Sequence, residues 1–433
     1  VIGPAADTVS YGDYTETRGR KGGVSVLDGI RAAVSPETEV LYERGCNFLG
    51  QALHPFDPSM LRDENGEAGL TGRYYNGPVP QGEPVQVRTD RTVNFNWIFA
   101  LPHPELDANC FSVAWTGSVI MPKTMDGCIG LSTQDSMRLY VDDKLLIDGW
   151  GKDKSADQAL DFHFEAGRTY KIRIEFVNDR RGARVIFGYS AGWENFPAAV
   201  EAARKADVAI LCMGDNEETS GENFDRTDLN LPGRQLELVQ AVYATGTPVV
   251  LVLQSGRPVT ANWENDHLPA ILEAWFPGEQ GGTAIAKTLF GDAAPGGRLP
   301  ITFPRSVGQI PCHYSRRPGG GKRYVEMDWL PLYPFGYGLT YTTFAYRDMA
   351  LSRSVIDPQD TVTVSVTVTN TGKYTGDAVP QLYVRDMFSS VVKPERQLAA
   401  FRRLTLAPGE SRRVELTVGP KQLRTLGPDY VWR

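Results

Sequence analysis

A chain of 433 residues with 41% apolar and 22% charged side chains is longer than one ordinary domain and has a globular composition, so about two to four domains are expected. A net charge of −7 and a pI near 5.5 argue against nucleic acid or an anionic membrane as partner, because both favour clustered Lys and Arg, and leave room for a neutral ligand. The longest apolar runs, "VAILCM" and "PVVLVL", are strand length, against the roughly 20 residues of a membrane helix, so no membrane span is expected.

In chain order, residues 1–50 read as strand ("VIG"), glycine-rich loop, helix ("VSVLDGIRAAV") and strand ("TEVLYERG"), which is α/β grammar. From about Gly69 to Ser190 the texture changes to short strands separated by turn residues, among them "CFSVAWTGSV", "SMRLYVDDKLLIDG", "RTYKIRIEFVND" and "ARVIFGYS". That pattern predicts an all-β sandwich or barrel. At Phe196 the α/β grammar returns: helix "FPAAVEAARKA", strand "DVAILCM", an acidic loop with its helix, strand "PVVLVLQSG", then "AILEAWFPGEQGGTAIAKTLFG". A β region flanked by two α/β halves is most simply an insertion into one α/β domain, with linkers expected near 51–68 and 190–195. After "PLYPFGYGLTYTTF", Val362, Val364, Val366 and Val368 alternate with polar residues, and "PGESRRVELTV" repeats the pattern, predicting a separate antiparallel sandwich.

Cys46, Cys110, Cys128, Cys212 and Cys312 are odd in number and lack C-x-x-C spacing, so they read as buried thiols, with a Cys110–Cys128 disulfide as the alternative. The five histidines show no H-x-x-x-H spacing, and no metal site is expected. The chain opens on "VIGPAAD", without an initiator Met, and neither targeting nor compartment is readable from it.

The loop after "ADVAILCM" gathers Asp215, Glu217, Glu218, Glu222, Asp225 and Asp228 around Arg226. Acidic residues near a helix start complement its dipole, which accounts for Asp225 or Asp228 as a cap. The helix signal starts only near Pro232, so capping leaves most of the loop unexplained. A loop leaving the carboxyl end of a parallel strand is where an open α/β sheet binds its ligand.

Taken in order, "VIGPAAD", "ERGC", "GENFDRTDLNLPGRQLELVQAV", "VVLVLQSGRPV", "AWFPGEQGGTAIAKTLFGDAAPGGRLPITFPRS" and "PLYPFGYGLTYTTF" resemble the C-terminal two-thirds of a glycoside hydrolase of family 3, the β-glucosidase and β-xylosidase family. The insert resembles a PA14 domain through "GLTGRYYNG", "FSVAWTGSV" and "DSMRLYVDDKLLIDGW", and the last region resembles a fibronectin type III-like module. The resemblance implies a discontinuous α/β sandwich with an open, mostly parallel sheet at 1–50 and 192–335, a PA14-like β domain at 69–190 and a type III-like β-sandwich at 343–433. It also implies a TIM-like barrel, bearing the Asp nucleophile, outside this sequence. The start falls where the sandwich domain would begin, and "GPDYVWR" falls short of the module's final strands, so a portion of a longer enzyme is expected.

By that resemblance "SGENFDR" aligns with the family's acid/base segment and selects Glu222, with Glu218 as runner-up; Asn223 stands where the family often has Gly. Carboxylates nearby would keep a proton on such a Glu, although Asp215, Glu217 and Glu218 taken singly read as solvated. Asp225 and Arg226 are expected to order the loop as a pair, with direct sugar contact as the alternative. Residues 314–331, basic and aromatic, read either as a cleft-mouth loop or as a mobile surface loop. Asp142 and Asp143 read as a hairpin turn rather than as calcium ligands. The implied activity is that of a retaining, exo-acting β-glycosidase, most simply a β-glucosidase, that needs no cofactor. The implied partners are a β-linked glycoside and the barrel, and a homo-oligomer is compatible. The alternatives are a β-xylosidase or a non-catalytic carbohydrate-binding protein.

Overall fold

A computed structural model describes residues 1–12, 15, 22–48, 53–97, 101–133, 135–151, 158–178, 184–191, 196–216, 219–222, 224–317 and 323–432. The chain divides into two compact units, one formed by Val1–Arg44 with Ala199–Arg433 and the other by Gly45–Ala198. Among the described residues no helix is long and apolar enough to cross a membrane.

In the first unit the strands Ala209–Gly214, Val249–Gln254 and Ala270–Glu273 form a parallel sheet in that order. Ile2 extends it by single parallel bridges to Leu211 and Glu43. The expected strands "VIG" and "TEVLYERG" are therefore reduced to one bridged residue each. "AILCMG" and "VVLVLQ" are nearly continuous apolar runs because helices cover a parallel sheet on its faces. The helix Val26–Ala33 starts where Ser25 accepts the Asp28 N–H at 3.1 Å, a side-chain cap. It crosses the helix Gly281–Leu289 at a glycine pair: a Cβ on Gly29 would lie 2.2 Å from the Gly282 carbonyl oxygen, so only glycine permits the approach.

The chain then leads into a β-sandwich in which Phe344–Leu351, Val362–Asn370 and Ser411–Val418 pair antiparallel, joined by two smaller ladders. Val368, Leu404, Leu406, Val414 and Leu416 fill its core, Val366 packs against it, and of the alternating valines Val364 and Val368 are buried.

The second unit is all-β. A seven-stranded antiparallel sheet runs Gln86–Asp90, Leu70–Asn76, Phe111–Ile120, Thr169–Asn178, Ser136–Val141 and Lys144–Asp148, with Leu61–Arg62 also on Phe111–Ile120. A five-stranded sheet is built on Arg184–Ala191, Met125–Thr133 and Gln158–Phe164, with His54–Pro55 and Asn94–Asn96 at its side. Trp115, Tyr74, Phe111, Phe164, Phe176 and Phe187 form one buried core. The segment expected as a linker, 51–68, instead supplies His54–Pro55 and Leu61–Arg62 to these sheets, so the β unit begins well before Gly69. Strands of two residues carry no period, which is why the sequence pattern passes over them. Asp142 and Asp143 do form the hairpin turn, both at positive φ, and pair with Arg168 and Lys171. Cys128 is a free buried thiol, so the alternative Cys110–Cys128 bridge is not formed.

Candidate active site

The site grows from the carboxyl edge of the parallel sheet. Gly214 ends its strand at φ +141°, where a Cβ would lie 1.9 Å from the Gln254 carbonyl oxygen. Glycine is thus required for the chain to leave the sheet beside its neighbour. Asp215 follows, its N–H donating to the same Gln254 carbonyl at 2.8 Å. Where the helix Gln235–Tyr243 begins, the Gln235 side chain accepts the Gly214 N–H at 2.7 Å and donates to the Gly214 C=O at 2.8 Å. The acidic loop therefore leaves and re-enters the domain at one fixed point.

Glu222 stands on a tight turn in this loop, closed by the Phe224 N–H donating to the Gly221 C=O at 3.2 Å, and is exposed. Asp225 is exposed beside it. Glu218, the runner-up, and Glu217 lie outside the described residues. Asp215 does not face water as expected: it is 2% exposed, accepting the Thr219 hydroxyl at 2.9 Å, with Arg226 at 3.5 Å and Arg257 at 3.6 Å. Burial raises its pKa above the ordinary carboxylate value, while the Thr219 hydroxyl and the Arg257 and Arg226 guanidiniums pull it back. The expected Asp225–Arg226 pair is replaced: Arg226 reaches inward to Asp215 and sideways to Asp228 at 3.5 Å. A guanidinium at the loop's root gains more from a carboxylate removed from water than from one in it.

Glu273, at the end of the third strand, was not singled out by the sequence. Its Oε1 accepts the Trp275 N–H at 2.9 Å, and among the described residues its buried Oε2 has no hydrogen-bond partner. Burial, and to a smaller extent the charge of Asp215, push its pKa up to about 8. Trp275 itself sits at φ +52°, an uncommon conformation for a bulky side chain. Arg257 was also passed over. Both residues carry one usable signal, their place at or just past the carboxyl end of an apolar strand.

Two described residues of 314–331 contact other parts of the chain. Tyr314 stacks on Phe335 at 4.2 Å, and Arg316 pairs with Glu395 of the C-terminal sandwich at 3.2 Å. Among the described residues no group of His, Cys, Asp and Glu is arranged to hold a metal ion.

A braced loop with an exposed carboxylate leaves the carboxyl edge of a parallel sheet, the edge where open α/β sheets bind their ligands, and a β-sandwich follows. Comparison with known proteins makes this specific. Residues 1–341 match the glycosyl hydrolase family 3 C-terminal domain, and residues 378–433 match a fibronectin type III-like domain. The chain belongs to glycoside hydrolase family 3. A β-xylosidase of Formosa agariphila is 47% identical over 271 residues, covering 60% of this chain and 38% of that protein. A β-glucosidase of Rhizobium radiobacter is 34% identical over 433 residues, covering 92% of this chain and 51% of that protein. The crystal structure of a β-glucosidase from Kluyveromyces marxianus superposes with a TM-score of 0.73 at 27% identity, covering all of this chain and 56% of that one. The chain thus spans about half the length of the relatives it matches.

Proposed function

We propose that this chain supplies the general acid/base and the leaving-group side of a retaining, exo-acting β-glycosidase, with Glu222 as the acid/base. The observation that carries this reading is the exposed stance of Glu222 on a tight turn whose loop is pinned at both ends. A retaining glycosidase needs two carboxyl groups about 5–5.5 Å apart, one a nucleophile and one an acid that later serves as base. Here Glu222 protonates the departing glycosidic oxygen while an Asp of a TIM-like barrel, outside these 433 residues, attacks the anomeric carbon. Glu222 then takes a proton from the water that releases the sugar. The β unit is read as a PA14 module. Asp225 remains a candidate sugar contact because it is exposed next to the turn, whereas Arg226 serves the loop's root.

A β-glucosidase is the first reading of specificity, supported by relatives that match nearly the whole chain. A β-xylosidase is the second, favoured by the 47% identity to the Formosa protein. Rates on aryl β-glucosides and aryl β-xylosides decide between them.

The acid/base role is tested by Glu222→Ala in the intact protein containing this chain. Disaccharide hydrolysis should fall by about 10²–10⁴-fold, activated aryl glycosides should be affected far less, and azide should restore turnover. Disaccharide hydrolysis at the parental rate would remove Glu222 from the role and bring Glu218 forward.

A further inference from the structure

We infer that Asp215 is a positioning residue for Glu222, acting through Thr219, Arg226 and Arg257. The inference rests on the reading of Glu222 as acid/base and adds to it what holds that residue in place.

Asp215 is fixed before the loop begins, by its N–H bond to the adjacent strand at Gln254. From there its carboxylate holds the segments on either side of Glu222. On the upstream side Oδ1 accepts the Thr219 hydroxyl, whose oxygen also accepts the Asn216 N–H at 3.0 Å. On the downstream side the same oxygen faces Arg226, whose other nitrogen donates to the Asn230 C=O at 3.2 Å. Oδ2 faces Arg257, and Arg257 donates to the Thr219 C=O at 2.9 Å, closing the ring. Ser220 is held close as well: a Cβ on Gly256 would lie 2.6 Å from its Oγ and 2.8 Å from the Phe276 ring, so that glycine leaves the space the loop occupies. The turn bearing Glu222 runs between these anchors.

At 2% exposure Asp215 cannot itself meet a substrate. Nor is stability a sufficient account, since burying an ion with its partners seldom outweighs the desolvation it costs. Geometry is the better one. A general acid must stand within hydrogen-bond reach of the leaving oxygen, and displacement by about 1 Å costs on the order of 10²-fold in rate.

The test is Asp215→Asn in the intact protein, which keeps the shape and removes the charge, measured alone and with Glu222→Ala. The expected result is a loss of about 10–100-fold in kcat/KM on a disaccharide, with a dinitrophenyl glycoside within about threefold of the parent. In the Glu222→Ala background the same change should add no further loss on the disaccharide, because both substitutions act on one proton transfer. An equal loss on both substrates, or a full additional loss in the double variant, overturns the inference while leaving Glu222 in its role. Parental disaccharide hydrolysis by Glu222→Ala overturns both. If Asp215→Asn does not fold, as judged by circular dichroism, Thr219→Val is read by the same leaving-group comparison and decides the matter.

Discussion

Gln235 holds both backbone groups of Gly214, accepting its N–H at 2.7 Å and donating to its C=O at 2.8 Å, with the Gln235 side chain fully buried. A side-chain amide here does what a neighbouring strand would do, satisfying the last residue of a strand. Its position at the start of a helix ties that helix to the strand across the whole acidic loop.

Gln235→Ala should therefore leave a buried donor and a buried acceptor unpaired, at a cost of about 2–4 kcal/mol. Urea denaturation followed by circular dichroism measures it. A loss below about 0.5 kcal/mol would mean that the two groups find other partners. Gln235→Glu should also destabilise, since a carboxylate cannot donate to the Gly214 carbonyl.

Glu273 predicts a pH dependence with a definite sign. Its folded-state pKa, about 8, lies above its ordinary value of 4.5. Below pH 4.5 both states are protonated and the group contributes nothing to the pH slope; between 4.5 and 8 the unfolded chain ionises first, so stability falls as pH rises; above 8 the deficit stays constant. The slope approaches about 1.4 kcal/mol per pH unit at most. Glu273→Gln should remove this fall, so melting temperatures of variant and parent should converge near pH 4 and separate toward pH 8, the variant being higher. Parallel melting curves across that range would show that Oε2 is not desolvated.

In the β unit, Asp90 is 5% exposed and accepts from Tyr74 OH at 2.5 Å, Trp115 Nε1 at 2.7 Å and Arg88 Nε at 2.7 Å. Asp90→Ala would strand the buried Tyr74 and Trp115 donors, and Arg88 would be left without its carboxylate beside the Tyr74 ring. A loss of about 3–5 kcal/mol is expected. Tryptophan fluorescence during denaturation reports it, because Trp97 and Trp115 lie in the same core. Asp90→Asn should recover part of the loss, as its oxygen still accepts while its amide opposes Arg88.

What the sequence determined by itself was whatever local pattern encodes. Period-two alternation at Val362–Val368 and continuous apolar runs at 209–214 and 249–254 predict strands, and they form. The order α/β, β, α/β, β-sandwich followed from the same patterns, and motif resemblance led to the family and singled out Glu222. Tertiary structure decided what depends on residues far apart in the chain. Asp215 looked like one solvated acid among several, yet the loop folds back over it and brings Arg226 and Arg257 to its carboxylate. Glu273 looked like the polar end of a strand, yet one oxygen is removed from water with no partner among the described residues. His54–Pro55 and Leu61–Arg62 looked like linker, yet they pair with strands that come much later, at Tyr189 and Val119. Side-chain periodicity is a property of a few consecutive residues and can be read directly. Desolvation and ion pairing depend on which distant segments cover a group, and only the folded chain sets that.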